Sequence, residues 1–296
     1  MAKNLHLEHP EDLLLTGDRS VIDWFYATSS SSVKMDGAPA IVWGTNPENG
    51  QFFVGTKSVF NKKKIKICYN QGDIATHYHH QPRVMNILTA CLAYLPRVDA
   101  VYQGDFIGFG GDTHYTPNTV TYVFDEPVEK RLIVAPHTFY VGEEMKNMDA
   151  FPILSTMDES RQVMFVQPTV DIFNDKSNYD EFVRVYDEVE SFLTDKQAAE
   201  VKVIINHFIR EGKVLTIDML ETILDSRELA ILYTFALYEK FRLLEDAIYY
   251  DGPQCLLNDE DVEAEGIVRT NQFGSLKLVN RYVFSAANFN NSTFRK

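Results

Sequence analysis

Cysteine is scarce in this chain, and none of it is arranged for chemistry. Cys68, Cys91 and Cys255 are the only three in 296 residues. They are odd in number, far apart and form no C-x-x-C pair, so free thiols in a reducing compartment are expected and a disulfide framework is excluded. No apolar run approaches the roughly 18 residues that a membrane-spanning helix needs. The opening stretch MAKNLHLEHPEDLL lacks the basic start and apolar centre of a signal peptide. The expectation is a soluble, globular, cytoplasmic protein with no membrane partner.

Excess positive charge is missing too. The formal net charge is -14, which argues against a generic, charge-driven nucleic-acid binder. The acidity is local, however. Residues 170–262 hold 21 acidic and 9 basic side chains, a balance of -12, which leaves only -2 for the rest of the chain. A basic groove elsewhere stays open. There is no internal repeat, and no low-complexity tract beyond the serines at 29–32.

What is present divides into two textures. A short helix is expected through Val21, Ile22, Trp24 and Phe25, capped by Asp18 or Ser20. Residues 38–43 and 51–56 are strand-like and joined by the turn-rich GTNPENG, which predicts a hairpin. Pro82 precedes an apolar helical stretch over 84–95, and further strands are expected at 100–108, 119–124 and 132–141. From about Tyr179 the period becomes helical: Phe182, Val185, Val189 and Phe192 share a face, as do Val201, Ile204, Ile205 and Phe208. Thr194 with Gln197 forms a capping box, and Gly212 marks a helix stop. A third helix carries Met219, Leu220, Ile223 and Leu224, and a fourth runs from about Arg227 to Ile248. Strands return at 266–270 and 276–283. The division expected is a β-rich core, 1–177 with 251–296, interrupted by an acidic helical module at 178–250.

One lysine stands out. In SSVKMDGAPAIVWG, Lys34 lies between polar residues and a strand-like run, just before an Asp-Gly turn. A lysine amine becomes a nucleophile only when burial or neighbouring cations lower its pKa from about 10.4, and a rigid strand edge beside a pocket is a place where that can happen. Alone, K-x-D-G is a weak signal, and a solvated surface lysine is the ordinary reading. Five further segments follow in order. They are VGTKS with Lys57, VYQGDFIG with Asp105, TYVFDE with Phe124 and Asp125, AEGIV with Glu265, and LKLVNR with Lys277 and Arg281.

Read together, these segments resemble the covalent nucleotidyltransferase superfamily of ATP-dependent DNA ligases, RNA ligases and mRNA capping enzymes. The resemblance runs from residue 34 to residue 281 and rests on the order of short motifs. It implies an α+β fold: an ATP-grasp-like nucleotidyltransferase core of two antiparallel sheets with flanking helices and the inserted helical module. It implies that Lys34 takes AMP from ATP as a lysyl-nucleotide, passes it to a 5′-phosphate end, and that a 3′-hydroxyl then displaces AMP. Val33, Asp36, Gly37, Lys57, Asp105, Phe124, Glu265, Lys277 and Arg281 become the nucleotide-binding residues. Phe124 would stack on the base, and the lysines and Arg281 would hold phosphates. Glu265 and Asp105 would offer carboxylate oxygens to Mg²⁺, or to Mn²⁺ in its place.

The departures from that pattern narrow the reading. Pro39 stands where many DNA ligases carry arginine, Asp105 replaces a longer glutamate, and Lys277-Leu278-Val279 lacks the second lysine of a K-x-K motif. Only 15 residues follow Arg281, leaving no room for the OB-fold domain of DNA ligases and capping enzymes. The expectation is therefore an RNA ligase of the phage-encoded type that lacks that domain, acting on RNA ends in the host cytoplasm. A DNA-end joiner, an adenylyltransferase of another acceptor, and an inactive nucleotide-binding module stand as rivals.

Other features have plainer readings. His77, His79 and His80 in THYHHQ lack the fourth ligand of a zinc site and mark a helix entry, with contact to RNA phosphates as a middle reading. Lys62, Lys63, Lys64 and Lys66 form either a solvated strand face or the path of a phosphate backbone. GFGGD lacks the lysine and the strand–helix setting of a phosphate loop. His6 and His9 read as structural. The apolar stripes of the helical module are core seams, and its acidity makes it a docking surface for a protein or a wall of the substrate entrance rather than an RNA platform.

Overall fold

A computed structural model describes residues 7–158, 160–173 and 175–284. His6 and the end of the segment SLKLVNRYVFSAANF lie outside the described residues. The chain opens with α1 (Pro10–Leu14), α2 (Ser20–Tyr26), β1 (Ser30–Val33), β2 (Ala40–Thr45) and β3 (Phe52–Gly55). A 3-10 turn (Lys57–Phe60), α3 (Gln71–Tyr78), α4 (Pro82–Tyr94), β4 (Val101–Gly108), β5 (His114–Tyr115) and β6 (Thr121–Val123) follow. Then come β7 (Leu132–Val141), β8 (Asp149–Pro152), β9 (Val163–Phe165), β10 (Thr169–Ile172), α5 (Tyr179–Asp187), α6 (Asp195–Arg210), α7 (Ile217–Leu224) and α8 (Arg227–Glu245). The last elements are β11 (Ala247–Tyr250), β12 (Gln254–Leu257), β13 (Glu260–Val262), β14 (Gly266–Asn271) and β15 (Gly274–Val279).

The fold is α+β with antiparallel sheets, and the described chain divides into two compact units. The first holds residues 35–168 and 251–263. Its larger sheet runs β3-β2-β4-β7-β8, with β9 pairing β7 in parallel. Helices α3 and α4 cover one face through Ile74, Tyr78, Ile87, Leu88 and Cys91, packed with Ile41, Trp43 and Val54. Its smaller sheet runs β13-β12-β6-β5.

The second unit holds residues 7–34, 169–250 and 264–284. Its sheet runs β11-β10-β1-β14-β15. One apolar core joins Leu14, Trp24 and Phe25 of the first two helices to Phe182, Ile205, Leu220 and Tyr233 of the later ones, and to Ile267 and Leu278 of the sheet. The expected boundary after residue 250 coincides with a break between the units, whereas the one expected at 178 lies at 168/169, and the second unit also takes in residues 7–34 and 264–284. The amphipathic seams of α5–α8 are covered by α1, α2 and the sheet rather than only by one another.

Several local expectations meet the structure directly. The capping box at Thr194 and Gln197 starts α6, and 132–141 is the strand β7. Others differ. The described residues form three sheets, not two, because 119–124 contributes β6, which pairs on one side with the short neighbouring strand β5 and on the other with β12 far along the chain. Ile248 leaves the helix for β11, and residues 281–284 turn helical where a strand is expected. The serine tract contributes the strand β1. Among the described residues no helix is long and apolar enough to cross a membrane.

Candidate functional site

Lys34 directly follows β1, in the second unit. The antiparallel register sets Val33 opposite Ile267 and Ser32 opposite Val268. The Lys34 N–H extends that ladder by one step, donating to Gly266 O at 2.8 Å. Side chains alternate along a strand, so Lys34 shares a face with Ser32 and, across the sheet, with Val268 and its partner Lys277. Val33 takes the opposite face, packed on the helical core with Ile267 and Leu278.

On the Lys34 face the lysine Nζ pairs with the carboxylate of Glu265. The Glu265 side chain is 9% exposed and that of Lys34 28%, so the pair is screened by little water. Lys277 stands on β15 with its N–H donated to Glu8 O at 3.1 Å. Burial, and next the charge of Lys34, hold its ammonium below the ordinary lysine range. Gly266 is required by backbone approach, since a Cβ there would meet Leu278 O at 2.3 Å and Val279 Cγ2 at 2.7 Å. Lys34, Glu265 and Lys277 are therefore brought together by two adjacent strand pairings.

Arg281 has other partners. Its guanidinium is 3% exposed and donates to Glu11 Oε1 at 3.2 Å, Asp12 Oδ1 at 3.0 Å and Tyr233 OH at 3.2 Å. Lys240 joins the same cluster through Glu11 at 2.6 Å, both side chains being fully buried. The charge of Arg281 is committed to this ionic core, which ties α1 to α8, rather than to a phosphate.

A polar cavity of about 470 Å³ also opens on this sheet, lined by residues 28–31 and 169–172 and by Arg269. The Arg269 Nε donates to Ser29 Oγ at 2.9 Å and Nη2 to Ala27 O at 3.0 Å.

The remaining expected residues belong to the first unit. Asp36 is a clasp: both carboxylate oxygens accept from Asn118 Nδ2 at 3.0 Å, and one accepts the Thr119 N–H at 3.3 Å. Its own N–H donates to the Tyr122 hydroxyl. These bonds fix the segment just before β6. Gly37 packs where no side chain fits, because a Cβ would lie 2.7 Å from Phe106 O and 2.8 Å from Asp105 Cβ. Phe124 donates its N–H to Thr113 O at 2.9 Å and meets Tyr115 edge to face, centroids 5.7 Å apart. Lys57 lies in the 3-10 turn after β3 rather than on a strand.

Asp105 sits on β4 between Ala40 and Ala135. Sequence reasoning missed its neighbour. The β4–β7 register steps from Gln103 opposite Thr138 to Gly104 opposite Pro136, so His137 is the extra residue of a β-bulge. Bulges re-aim side chains, and here the His137 Nε2 comes 3.9 Å from Asp105 Oδ1. The buried Tyr140 hydroxyl donates to Gln103 Oε1 at 2.7 Å, which leaves the Gln103 amide nitrogen facing His137 Nε2 at 3.4 Å. The signal in the sequence was Pro136, since a proline inside a strand points to a bulge or an edge.

Among the described residues no group of three or more His, Cys, Asp or Glu side chains is placed to hold a metal ion unaided.

A model of a family of unknown function, DUF6267, matches residues 4–226, which is 223 of the 296 residues. The match includes Lys34, Asp105 and Phe124 and ends before Glu265 and Lys277. No curated protein and no solved structure matches the chain.

Proposed function

The chain belongs to this family of unknown function, DUF6267, and we propose that it is an ATP-dependent polynucleotide ligase, acting on RNA ends through a lysyl-AMP on Lys34. The observation that carries the reading is the meeting of Lys34, Glu265 and Lys277 on one sheet face. The three lie far apart in the sequence and belong to the first and the last two motifs of the resemblance. A structural ion pair would need Lys34 and Glu265 alone. A second, partly buried lysine beside them concentrates positive charge, as a triphosphate site requires.

In the first step the Lys34 amine, having lost a proton, attacks the α-phosphorus of ATP. The bond from that phosphorus to the bridging oxygen of the β-phosphate breaks, pyrophosphate leaves with the electron pair, and a phosphoramide forms. Glu265, already bound to Nζ, takes the proton that the attacking amine sheds as the phosphorus–nitrogen bond forms, the ammonium's first proton having gone to solvent. Lys277 holds phosphate oxygens and, by repulsion between like charges, favours proton loss from the lysine pair. In the second step an oxygen of a 5′-phosphate displaces Lys34, forming a pyrophosphate link to AMP. In the third a 3′-hydroxyl attacks the 5′-phosphorus and AMP departs. Bound Mg²⁺, held by the phosphates with Glu265, would supply Lewis-acid neutralisation of the developing charge.

The test is covalent labelling. With Mg²⁺ and α-labelled ATP, wild type is expected to carry label that survives denaturation, and Lys34→Ala none. An unlabelled wild type with both ATP and GTP, or equal labelling of the variant, rejects the mechanism. Sealing of matched RNA and DNA nicks then separates the RNA reading from a DNA-end joiner.

A further inference from the structure

The acidic chain contains one stretch of opposite character. Residues 49–98 hold a single acid, Asp73, against five lysines, two arginines and three histidines. Asp73 is engaged locally, its Oδ2 accepting the Tyr69 N–H at 2.9 Å and Asn70 Nδ2 at 3.0 Å. Within this stretch Lys62, Lys63 and Lys64 are consecutive and exposed. No carboxylate among the described residues lies within salt-bridge distance of any of them, whereas Lys196, Lys202 and Lys213 in the helical region each have an acidic partner.

The loop that carries them is held. Val54 and Cys68 exchange both backbone hydrogen bonds at 3.0 Å, and the Lys66 N–H returns to Ser58 O at 3.3 Å. The Tyr78 hydroxyl joins Thr56 Oγ1 at 3.0 Å and Ser58 Oγ at 2.9 Å. Lys66 reaches across to His77 O at 3.3 Å, with its ammonium over the Tyr78 ring. These contacts tie the lysine loop to the end of α3, just where the exposed His79 and His80 stand with ring centroids 3.5 Å apart. Three unpaired cations on an anchored loop, beside exposed flat rings, are the two components of a single-strand site: charges that follow phosphates and surfaces on which bases stack.

We infer that the Lys62–Lys63–Lys64 loop, with His79 and His80, is a docking surface for the phosphate backbone of single-stranded RNA. The choice of RNA rests on the ligase reading; the choice of a polyanion rests on the loop itself. In a self-repelling acidic protein, such a surface gives the polyanion one place to land and excludes it elsewhere.

The experiment measures binding of a short 5′-phosphorylated, dye-labelled RNA by fluorescence anisotropy over a range of salt, for wild type and for Lys62→Gln/Lys63→Gln/Lys64→Gln. At about 0.7 per phosphate contact, loss of three contacts is expected to flatten the log–log salt slope by about 2, with at least about tenfold weaker binding at low salt. Labelling of Lys34 by ATP should stay at the wild-type level, showing that the variant is folded. An unchanged affinity and slope overturns the inference. So does polyglutamate competing as well as unlabelled RNA, which would make the loop a generic acidic-protein contact. Loop-dependent RNA binding by a wild type that never labels upholds the surface and rejects the ligase reading instead.

Discussion

Lys34 is bound twice to one point of the chain: its N–H donates to Gly266 O at 2.8 Å, and its ammonium pairs with the carboxylate of Glu265. The first bond belongs to the strand ladder and sets the position of the Cα; the second sets the direction of the side chain. For the mechanism proposed above this means a pre-oriented nucleophile, and orientation is a large part of what phosphoryl transfer needs from a protein.

Lys34→Arg isolates the chemistry from the charge. Arginine keeps the pair with Glu265 but does not deprotonate near neutral pH, so thermal stability should hold while covalent labelling disappears. Glu265→Gln removes the proton acceptor but keeps the shape, and labelling is expected to slow by about 100-fold or more. Near-wild-type labelling by either variant would remove Lys34 or Glu265 from the mechanism.

Gly37 and Asp105 make a second test, inside the first unit. Gly37→Ala would drive a methyl to within 2.8 Å of Asp105 Cβ and 2.7 Å of Phe106 O. The backbone oxygen on β4 cannot move without disturbing its pairing with β2 and β7. Overpacking of this kind costs about 1–3 kcal/mol. Denaturant unfolding should show a loss of that size, whereas Gly50→Ala, at a turn with nothing within 4 Å of a Cβ, should lose less and only through its positive φ of 70°.

These contacts also show what the sequence made legible. Lys34, Glu265 and Lys277 could be singled out because their motifs are local, and strand pairing does the rest. The capping box of α6 and the seams of α5 and α7 are local too, so they were readable. What was not readable depends on pairing. Ser30–Val33 has no apolar alternation, and becomes a strand because β10 and β14 flank it on both sides. Arg281 looked like a phosphate ligand because its motif is close to Lys277, yet the helical turn after β15 delivers it to Glu11 and Asp12. His137 was hidden by a bulge, which shifts the alternation that a sequence reader relies on.

The ionic core around Glu11 should dominate local stability. Burial alone would raise its carboxyl, but the charges of Lys240 and Arg281 outweigh that and hold it at about 2. Glu11→Ala leaves Lys240 fully buried without its partner, and breaking such a pair costs about 3–5 kcal/mol. Urea unfolding should show a loss in that range. The exposed pair of Arg184 with Glu181 is the control, and Glu181→Ala should leave the unfolding midpoint unmoved. A small effect of Glu11→Ala would mean that water enters the cluster freely.

His9 gives the chain a calculable response to acid. Burial pushes its imidazole from 6.5 down to about 2, with the neighbouring charges of Lys240, Arg281 and Lys277 in the same direction and Glu11 opposing. The folded state therefore keeps His9 neutral, while the unfolded chain binds a proton below about 6.5. Stability tied to this residue is complete above that pH and falls as the pH drops, because the unfolded state then holds the extra proton. The loss relative to pH 8 reaches about 2 kcal/mol at pH 5, from a slope of about 1.4 kcal/mol per pH unit. Asp12, whose carboxyl burial raises, works in the opposite sense and stabilises the fold as it takes up its proton. Comparing wild type with His9→Gln separates the two, since both proteins keep Asp12. The wild-type unfolding free energy should fall more steeply between pH 8 and pH 5 than that of His9→Gln, by about 2 kcal/mol over the interval. Parallel curves would show that His9 takes up its proton in the folded protein as readily as in the unfolded chain.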